Sequence, residues 1–361
     1  MTDADATAVR PGQVRGLRFA ALLVGLGLLL TAAPVVAASP RSTDSDETAA
    51  LRLLEDAARA SRALTYSGTK YVAAWRPGGT STSLVEVRHD PRGGLVMTAS
   101  PTAARAADDD AMVLAAASLD RALLAVLGDV FALSIAGTGR CTGRDADVVE
   151  ARRPTGTVAG RFWIDRDSRL LLRREVYDDA GHRVRSSAFL DLEMTPGSPV
   201  VTASAERRIG RDNGSPVDEQ RLEQLRAQGW HAPTDLPGGF VLFEARSRAH
   251  GDDDEVLHLA YTDGLSTTSL FVQRGELGSE PPEGFVGRAV GDRPVWVHDG
   301  APERMIWAGG ERVWTLVSDA PDGATAAALQ ALPHDDLPDD GLRARLARGL
   351  SRLGSWLNPF A

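Results

Sequence analysis

The chain predicts an α+β protein: a large curved antiparallel sheet, a half-barrel with helices on one face, followed by a smaller β-rich α+β domain. Three observations predict it. Between Thr65 and Leu192, short apolar stretches are punctuated by Gly, Pro and Asp turns, the mark of neighbouring hairpins. Helical spacing is confined to a few segments beside that meander. Leu257 to Gln273 reads as two strands around Asp263-Gly264, a pair that tolerates the positive φ of a tight turn.

Along the chain, Asp44 with Glu47 suits a helix cap, and Leu51, Leu54, Ala57 and Ala58 continue a helical stripe to about Leu64. Strands are expected at 65–75, 83–88 and 94–99, with turns at Pro77-Gly78-Gly79 and around Asp90-Pro91. The alanine-rich stretch Ala111–Leu127 reads as one or two short helices. Further strands are expected at 131–135, 147–151, 160–164, 170–177 and 183–192. Gly137 and Gly139, Pro154 and Gly156, Asp165 to Ser168, and Asp179-Ala180-Gly181 supply the turns between them.

Pro196 to Ser215 has the composition of a linker. Ser215 suits an N-cap, Pro216 a first helical position and Gly229 a helix stop. With a two-residue Asp263-Gly264 turn, Leu257 faces Leu270, Leu259 faces Thr268 and Tyr261 faces Ser266, which gives one apolar and one polar side. Ala320–Leu332 closes the second domain as a helix. The expected organisation is 1–38 export segment, 47–195 curved-sheet domain, 196–229 linker and short helix, 230–332 smaller domain, and 333–361 acidic tether with an amphipathic basic helix. In that tail Leu342, Leu346, Leu350, Leu353 and Leu357 form a stripe flanked by arginines, so residues 342–357 suit an anionic membrane surface, a partner or their own domain.

Composition narrows the function. The 361 residues carry a formal charge of −9, and an acidic body disfavours a general nucleic-acid binder, which needs clustered cations against phosphate. Lys70 is the sole lysine among 40 cationic side chains. Arg10, Arg15 and Arg18 precede an uncharged run, Phe19 to Ala38, that ends in small residues; this is an export address, either a cleaved signal or an uncleaved anchor over 19–38. Everything after it is extracytoplasmic. Cys141 is the sole cysteine, so no intrachain disulfide forms, and it reads as a small side chain entering a strand.

The chemistry-bearing motifs are missing from the sequence. The seven histidines show no HExxH spacing, and no G-x-S-x-G elbow, P-loop or dinucleotide loop occurs. Asp165 and Asp167 open like a calcium loop, but Leu170 stands where glycine is needed and Val176 where glutamate is needed, so they read as a hairpin turn. Asp252-Asp253-Asp254 reads as a solvated loop. Catalytic, cofactor and metal residues are therefore expected to be none.

Trp230 followed by Leu236-Pro237-Gly238-Gly239-Phe240 is similar to the "W…LPxGF" entry of a known family, and on this and the motifs below the chain resembles the RseB/MucB family, periplasmic regulators of extracytoplasmic-stress sigma factors. Tyr261-Thr262-Asp263-Gly264-Leu265 with Ser269-Leu270-Phe271-Val272 resembles its "YSDGL…SVFVE" hairpin, Gln273 replacing the usual acid. Leu64-Thr65-Tyr66-Ser67-Gly68-Thr69 is similar to "LNYSGTF", and Cys141-Thr142-Gly143-Arg144 stands where "VAGR" is usual. The resemblance covers most of residues 50–332. It implies a first domain like the half-open barrel of LolA-type lipoprotein carriers and a non-enzymatic protein that holds the outer segment of a membrane-spanning anti-sigma factor. It also implies shielding of that segment from proteolysis and release by a lipid signal.

Tyr66, Tyr71, Trp75, Met97, Met112 and Phe131 are the candidate lining of an apolar-ligand site. Leu236, Pro237, Gly239, Phe240, Tyr261, Asp263, Gly264, Leu265, Ser269 and Phe271 are expected to be framework. The alternatives are a lipid or lipoprotein carrier and, more remotely, a secreted hydrolase.

Overall fold

The structure is a computed structural model that describes residues 44–77, 79–99, 121–194, 214–249, 255–278, 280–300 and 302–335. The export segment, residues 111–120 with Met112, the linker 196–213, Asp252-Asp253-Asp254 and the 342–357 stripe lie outside the described residues. The described residues belong to one compact unit.

The first sheet joins β1 (Tyr66–Arg76), β2 (Gly79–Asp90), β3 (Gly94–Ala99), β4 (Ala132–Cys141), β5 (Arg144–Arg152), β6 (Val158–Asp165), β7 (Leu171–Tyr177) and β8 (Arg183–Phe189). Their spatial order is β3-β2-β1-β8-β7-β6-β5-β4, antiparallel throughout, and β9 (Glu193–Met194) pairs with β1. Helices α1 (Asp44–Ala63) and α2 (Arg121–Val130) cover one face. α1 buries Ala50, Leu54, Ala57 and Ala58, the i, i+4, i+7, i+8 stripe of an amphipathic helix. They pack with Leu124 and Leu127 of α2 on Leu133, Val149, Ala151, Phe162 and Ile164.

The second sheet has the order β10 (Ser215–Pro216), β12 (Phe240–Ala249), β13 (Glu255–Thr262), β14 (Thr267–Arg274), β18 (Arg312–Ser318), β17 (Glu303–Ala308), β16 (Arg293–His298), β15 (Val286–Val290); β11 (Asp235–Leu236) pairs with β12. Helices α3 (Glu219–Ala227) and α4 (Asp322–Gln330) pack on a core that includes Trp230, Phe240, Leu259, Tyr261, Leu270, Trp307, Trp314 and Leu316. Gly229, at φ +82, stops α3 as expected. The whole is the antiparallel α+β architecture that the sequence predicts.

Three local expectations are corrected. Gly137 and Gly139 lie inside β4 and make no turn. The strand absorbs them through a bulge between Ile135 and Gly137 and runs on to Cys141, and the hairpin reverses at Thr142-Gly143, both at positive φ. Ser215-Pro216 is a short strand rather than a helix start. The N-cap of α3 is Asp218, whose carboxylate accepts the Arg221 N–H at 2.8 Å. The 257–273 hairpin is shifted by two residues: Leu257 pairs with Val272, Leu259 with Leu270 and Tyr261 with Thr268. The shift preserves parity, so Leu257, Leu259, Tyr261, Leu270 and Val272 still share the core face. The supposed polar side is buried too, with His258 stacked on Phe271 at 4.4 Å between ring centroids.

Candidate functional site

The two-residue shift exists because Asp263-Gly264-Leu265-Ser266 is a four-residue turn. The Asp263 carboxylate accepts the N–H groups of Leu265 (2.8 Å) and Ser266 (2.5 Å), an Asx-type cap. Thr262 Oγ1 accepts the Gly264 N–H at 2.9 Å and donates to the Ser266 carbonyl at 2.8 Å. The Asp263 carboxylate and the Thr262 hydroxyl are thus bonded inside the turn, which carries Leu265 outward, while the buried Ser266 Oγ has no hydrogen-bond partner. Leu265 is 2% exposed and belongs to the core cluster of the first sheet, beside Leu127 and Phe162.

The first sheet is shaped to receive it. Register places Gly160, Val176, Arg185 and Ala74 in one cross-strand row, with Phe162, Arg174, Ser187 and Val72 in the next, on the helix-bearing face. A Cβ on Gly160 would stand 2.6 Å from Leu265 Cδ2, so any side chain there would have to displace the buried leucine. Gly264, at φ +85, lies so close to α2 that a Cβ would come within 2.6 Å of Leu127 Cα. The Pro237-Gly238-Gly239 loop meets the same helix: a Cβ on Gly239 would be 2.8 Å from Val130 Cγ1. Both motifs that carry the family resemblance thus end in turns seated on α2.

Charge surrounds the leucine. Arg174 donates to the Leu265 carbonyl, and Arg185 Nη2 donates to it at 2.9 Å. Arg185 also pairs with Asp319 and donates to the Asp319 carbonyl at 3.2 Å. Arg76 reaches Glu303 (3.2 Å), Asp322 (2.9 Å) and the Ser318 carbonyl (3.3 Å). Burial, then the neighbouring cations, pushes the Arg185 guanidinium down, and burial does the same to Arg174; neither loses its charge at neutral pH. Burial pushes the Asp263 carboxyl up, against its two N–H donors and the two arginines. Lys70, on the same face, holds its ammonium 4.6 Å from the Phe189 ring centroid, and burial with Arg174 lowers it to about 8.

The other predicted residues fall as follows. Tyr66 is buried, stacked on His89 and edge-on to Phe189, in a cluster that also takes Met97. Phe131 packs under the helices. Tyr71 and Trp75 do not join Tyr66. They are odd-numbered residues of β1, and strand alternation sends them to the opposite face, where Arg183 lies over the Trp75 ring at 4.4 Å. Leu236 and Phe240 are buried in the second core, and Tyr261 Oη donates to the Pro233 carbonyl at 2.8 Å. Ser269 Oγ and His258 Nε2 are 3.1 Å apart. Burial and Arg246 lower His258 to about 4, which makes it a feeble base at neutral pH. Among the described residues no group of three or more His, Cys, Asp or Glu is placed to hold a metal ion, and no helix is long and apolar enough to cross a membrane. Residue spacing missed Gly160, Arg174 and Arg185; the one available sign was a glycine inside a β-forming run.

Comparison with known proteins follows the same stretch of chain. Residues 87–225 match the family model of the MucB/RseB N-terminal domain. The match runs from β2 into α3 and so includes Gly160, Arg174 and Arg185 but stops short of the 263–266 turn. Among solved structures, the chain is similar to MucB in complex with MucA(peri), at 20% identity, covering 80% of this chain and 100% of that one, TM-score 0.44. It is also similar to the MucA/MucB complex of Pseudomonas aeruginosa, at 21% identity, 80% and 100% coverage, TM-score 0.46. A structure of MucB alone is 21% identical over 78% of this chain and 97% of that one, TM-score 0.46. No curated protein matches.

Proposed function

We propose that the chain is an exported, non-enzymatic regulator that binds the outer segment of a membrane-spanning anti-sigma factor, shields it from proteolysis and gives it up when an apolar ligand binds. The observation that carries the reading is the match of residues 87–225 to the MucB/RseB N-terminal domain. The compared MucB was crystallised with MucA(peri), the kind of partner proposed. The basic-then-apolar N-terminus supports export. For the ligand, the helix-bearing face offers Tyr66, Met97 and Phe131 among the described candidates.

The test mixes the purified chain with the extracytoplasmic segments of single-span anti-sigma proteins from the same organism. The expected result is co-elution on size exclusion with one of them and slower cleavage of that segment by its protease. Failure to form a complex with any of them overturns the proposal.

A further inference from the structure

We infer that the contact between the two sheets is a releasable latch, with Asp263–Ser266 as its tongue and the Gly160–Arg174–Arg185 surface as its socket. Three observations carry this. The first is how little apolar matter crosses the contact. Among the described residues the core of the second sheet and the cores of the first are separate clusters, and Leu265 is the second-sheet residue that joins a first-sheet core. One leucine side chain contributes far less by burial than the dozen or more buried side chains that hold either sheet together.

The second is segregation of charge. In the contacts described, the first sheet presents cations, Arg76, Arg174 and Arg185; the second presents carboxylates and carbonyls, Asp319, Glu303, Asp322 and the oxygens of Leu265, Ser318 and Asp319. Opposite signs on two separately cored bodies favour docking and orient it, and water takes over those charges when the bodies part. The third is frustration on the socket side. Arg174 and Arg185 are both aimed at one carbonyl oxygen, and each stands within the other's field. The Nε atoms of Arg76 and Arg174 are buried without a hydrogen-bond partner. Opening leaves both arginines together on the first sheet but hydrates them, which gives the buried Nε of Arg174 a water partner.

A body that comes apart at a small polar contact before either core loosens is a two-state element of the hinge type. Opening lays bare Leu127, Val130 and Gly160 beside Arg174 and Arg185, an apolar strip with a cationic border. It leaves both sheets intact.

The experiment follows exposure of the tongue in the full chain. In a Leu265→Cys variant the engineered thiol is read against Cys141, which is buried in the first sheet and reports its unfolding in the same sample. The thiol at 265 is expected to react with a thiol reagent at least ten-fold faster than Cys141 under native conditions, and adding Arg185→Ala is expected to widen that ratio a further ten-fold. Because Leu265→Cys itself removes part of the tongue, amide exchange in the unsubstituted chain gives the second reading. Gly264, Leu265 and Ser266 are expected to exchange at least ten-fold faster than the amides of β13, β14 and β18. The proposal is overturned if the 265 thiol reacts no faster than Cys141, if Arg185→Ala leaves the ratio unchanged, or if the turn exchanges only together with β13 and β14.

Discussion

The two sheets solve the problem of their second face in different ways. The first is apolar under its helices, and its other face is closed by ion pairs. Register lines up Glu150, Arg161, Glu175, Ser186 and Ala73 across five strands. Glu150 is held by Arg152 and Arg161, and Glu175 by Arg173, Arg183 and the Tyr177 hydroxyl. Arginine planes also cover Trp163 and Trp75. The second sheet buries both faces. Tryptophans 307 and 314 lie in the helix-side core, while Trp296, Ile306, Val313 and Leu277 form a separate cluster that Phe285 joins. A sheet that buries carboxylates among arginines depends on every partner being present; a sheet that buries tryptophans depends on volume.

That difference is broken most severely in the second sheet. Trp314→Ala is expected to cost about 3–5 kcal/mol, because it empties a site stacked on Trp307 at 6.0 Å and leaves the Gly309 carbonyl without the indole N–H that it accepts at 2.8 Å. Urea titration followed by far-UV dichroism reads the loss. A change below about 1 kcal/mol would mean that packing around the tryptophan pair is looser than its burial implies.

Acid separates the sheets by pH window. His258 in the second sheet is lowered from 6.5 to about 4, so the folded state binds its proton less well than the unfolded chain does. Its stabilising share is complete above pH 6.5 and is lost as pH falls through about 4, on the order of 3 kcal/mol. In the first sheet burial pushes Glu175 up, but the Tyr177, Arg173 and Arg183 hydrogen bonds together prevail and hold it below 4.5. Asp165 is likewise held below 3.8, where burial is outweighed by Arg144 and Ser168. Those shares are intact until pH drops below about 4.5. Hydrogen exchange at stepped pH is expected to show β13–β14 weakening first; simultaneous weakening of β6–β8 would refute the contrast. His258→Asn is expected to abolish the upper window.

Glu175→Gln tests the ion-pair face directly. It keeps the shape and removes the charge that Arg173 and Arg183 share. Arg183 is 41% exposed at its side chain, so water recovers part of the loss, and the expected cost is about 1–3 kcal/mol. Thermal unfolding of the variant against the parent at pH 7 is the measurement. A neutral result would make this face ordinary solvated surface.

Much of this architecture was readable from residue order, and the reasons for the misses are physical. Helix α1 announces itself because Leu54, Ala57 and Ala58 repeat at helical spacing, and the Asp165–Ser168 turn because an aspartate facing a serine N–H three residues on is a local device. Gly137 misleads because a glycine in a strand and a glycine in a turn look alike until the partner strand shows the bulge. The latch is invisible for a stronger reason. Leu265 looks like the first apolar residue of a strand, and nothing near it in sequence says that Gly160, more than a hundred positions earlier, has left room for it. The same distance hid which side of β1 carries Tyr71 and Trp75, since alternation fixes parity but the helices choose the face.

The smallest expected effect sharpens the comparison at one atom. Tyr261 shows that the volume-driven sheet also contains a hydrogen bond within its core, from its hydroxyl to the Pro233 carbonyl at 2.8 Å. Burial pushes the phenol pKa up, so the group stays a neutral donor throughout the range in which the protein folds. Tyr261→Phe removes the donor without changing the ring that packs against Leu259 and Leu270. The Pro233 carbonyl loses one acceptor contact but sits beside the exposed Thr234, where water reaches it, so the loss is about 1 kcal/mol rather than the full desolvation cost. The shift appears in urea midpoint with unchanged slope. A loss of 3 kcal/mol or more would show that this hydroxyl anchors the 230–236 segment, and that the second sheet, too, rests on a polar contact where its volume was expected to decide.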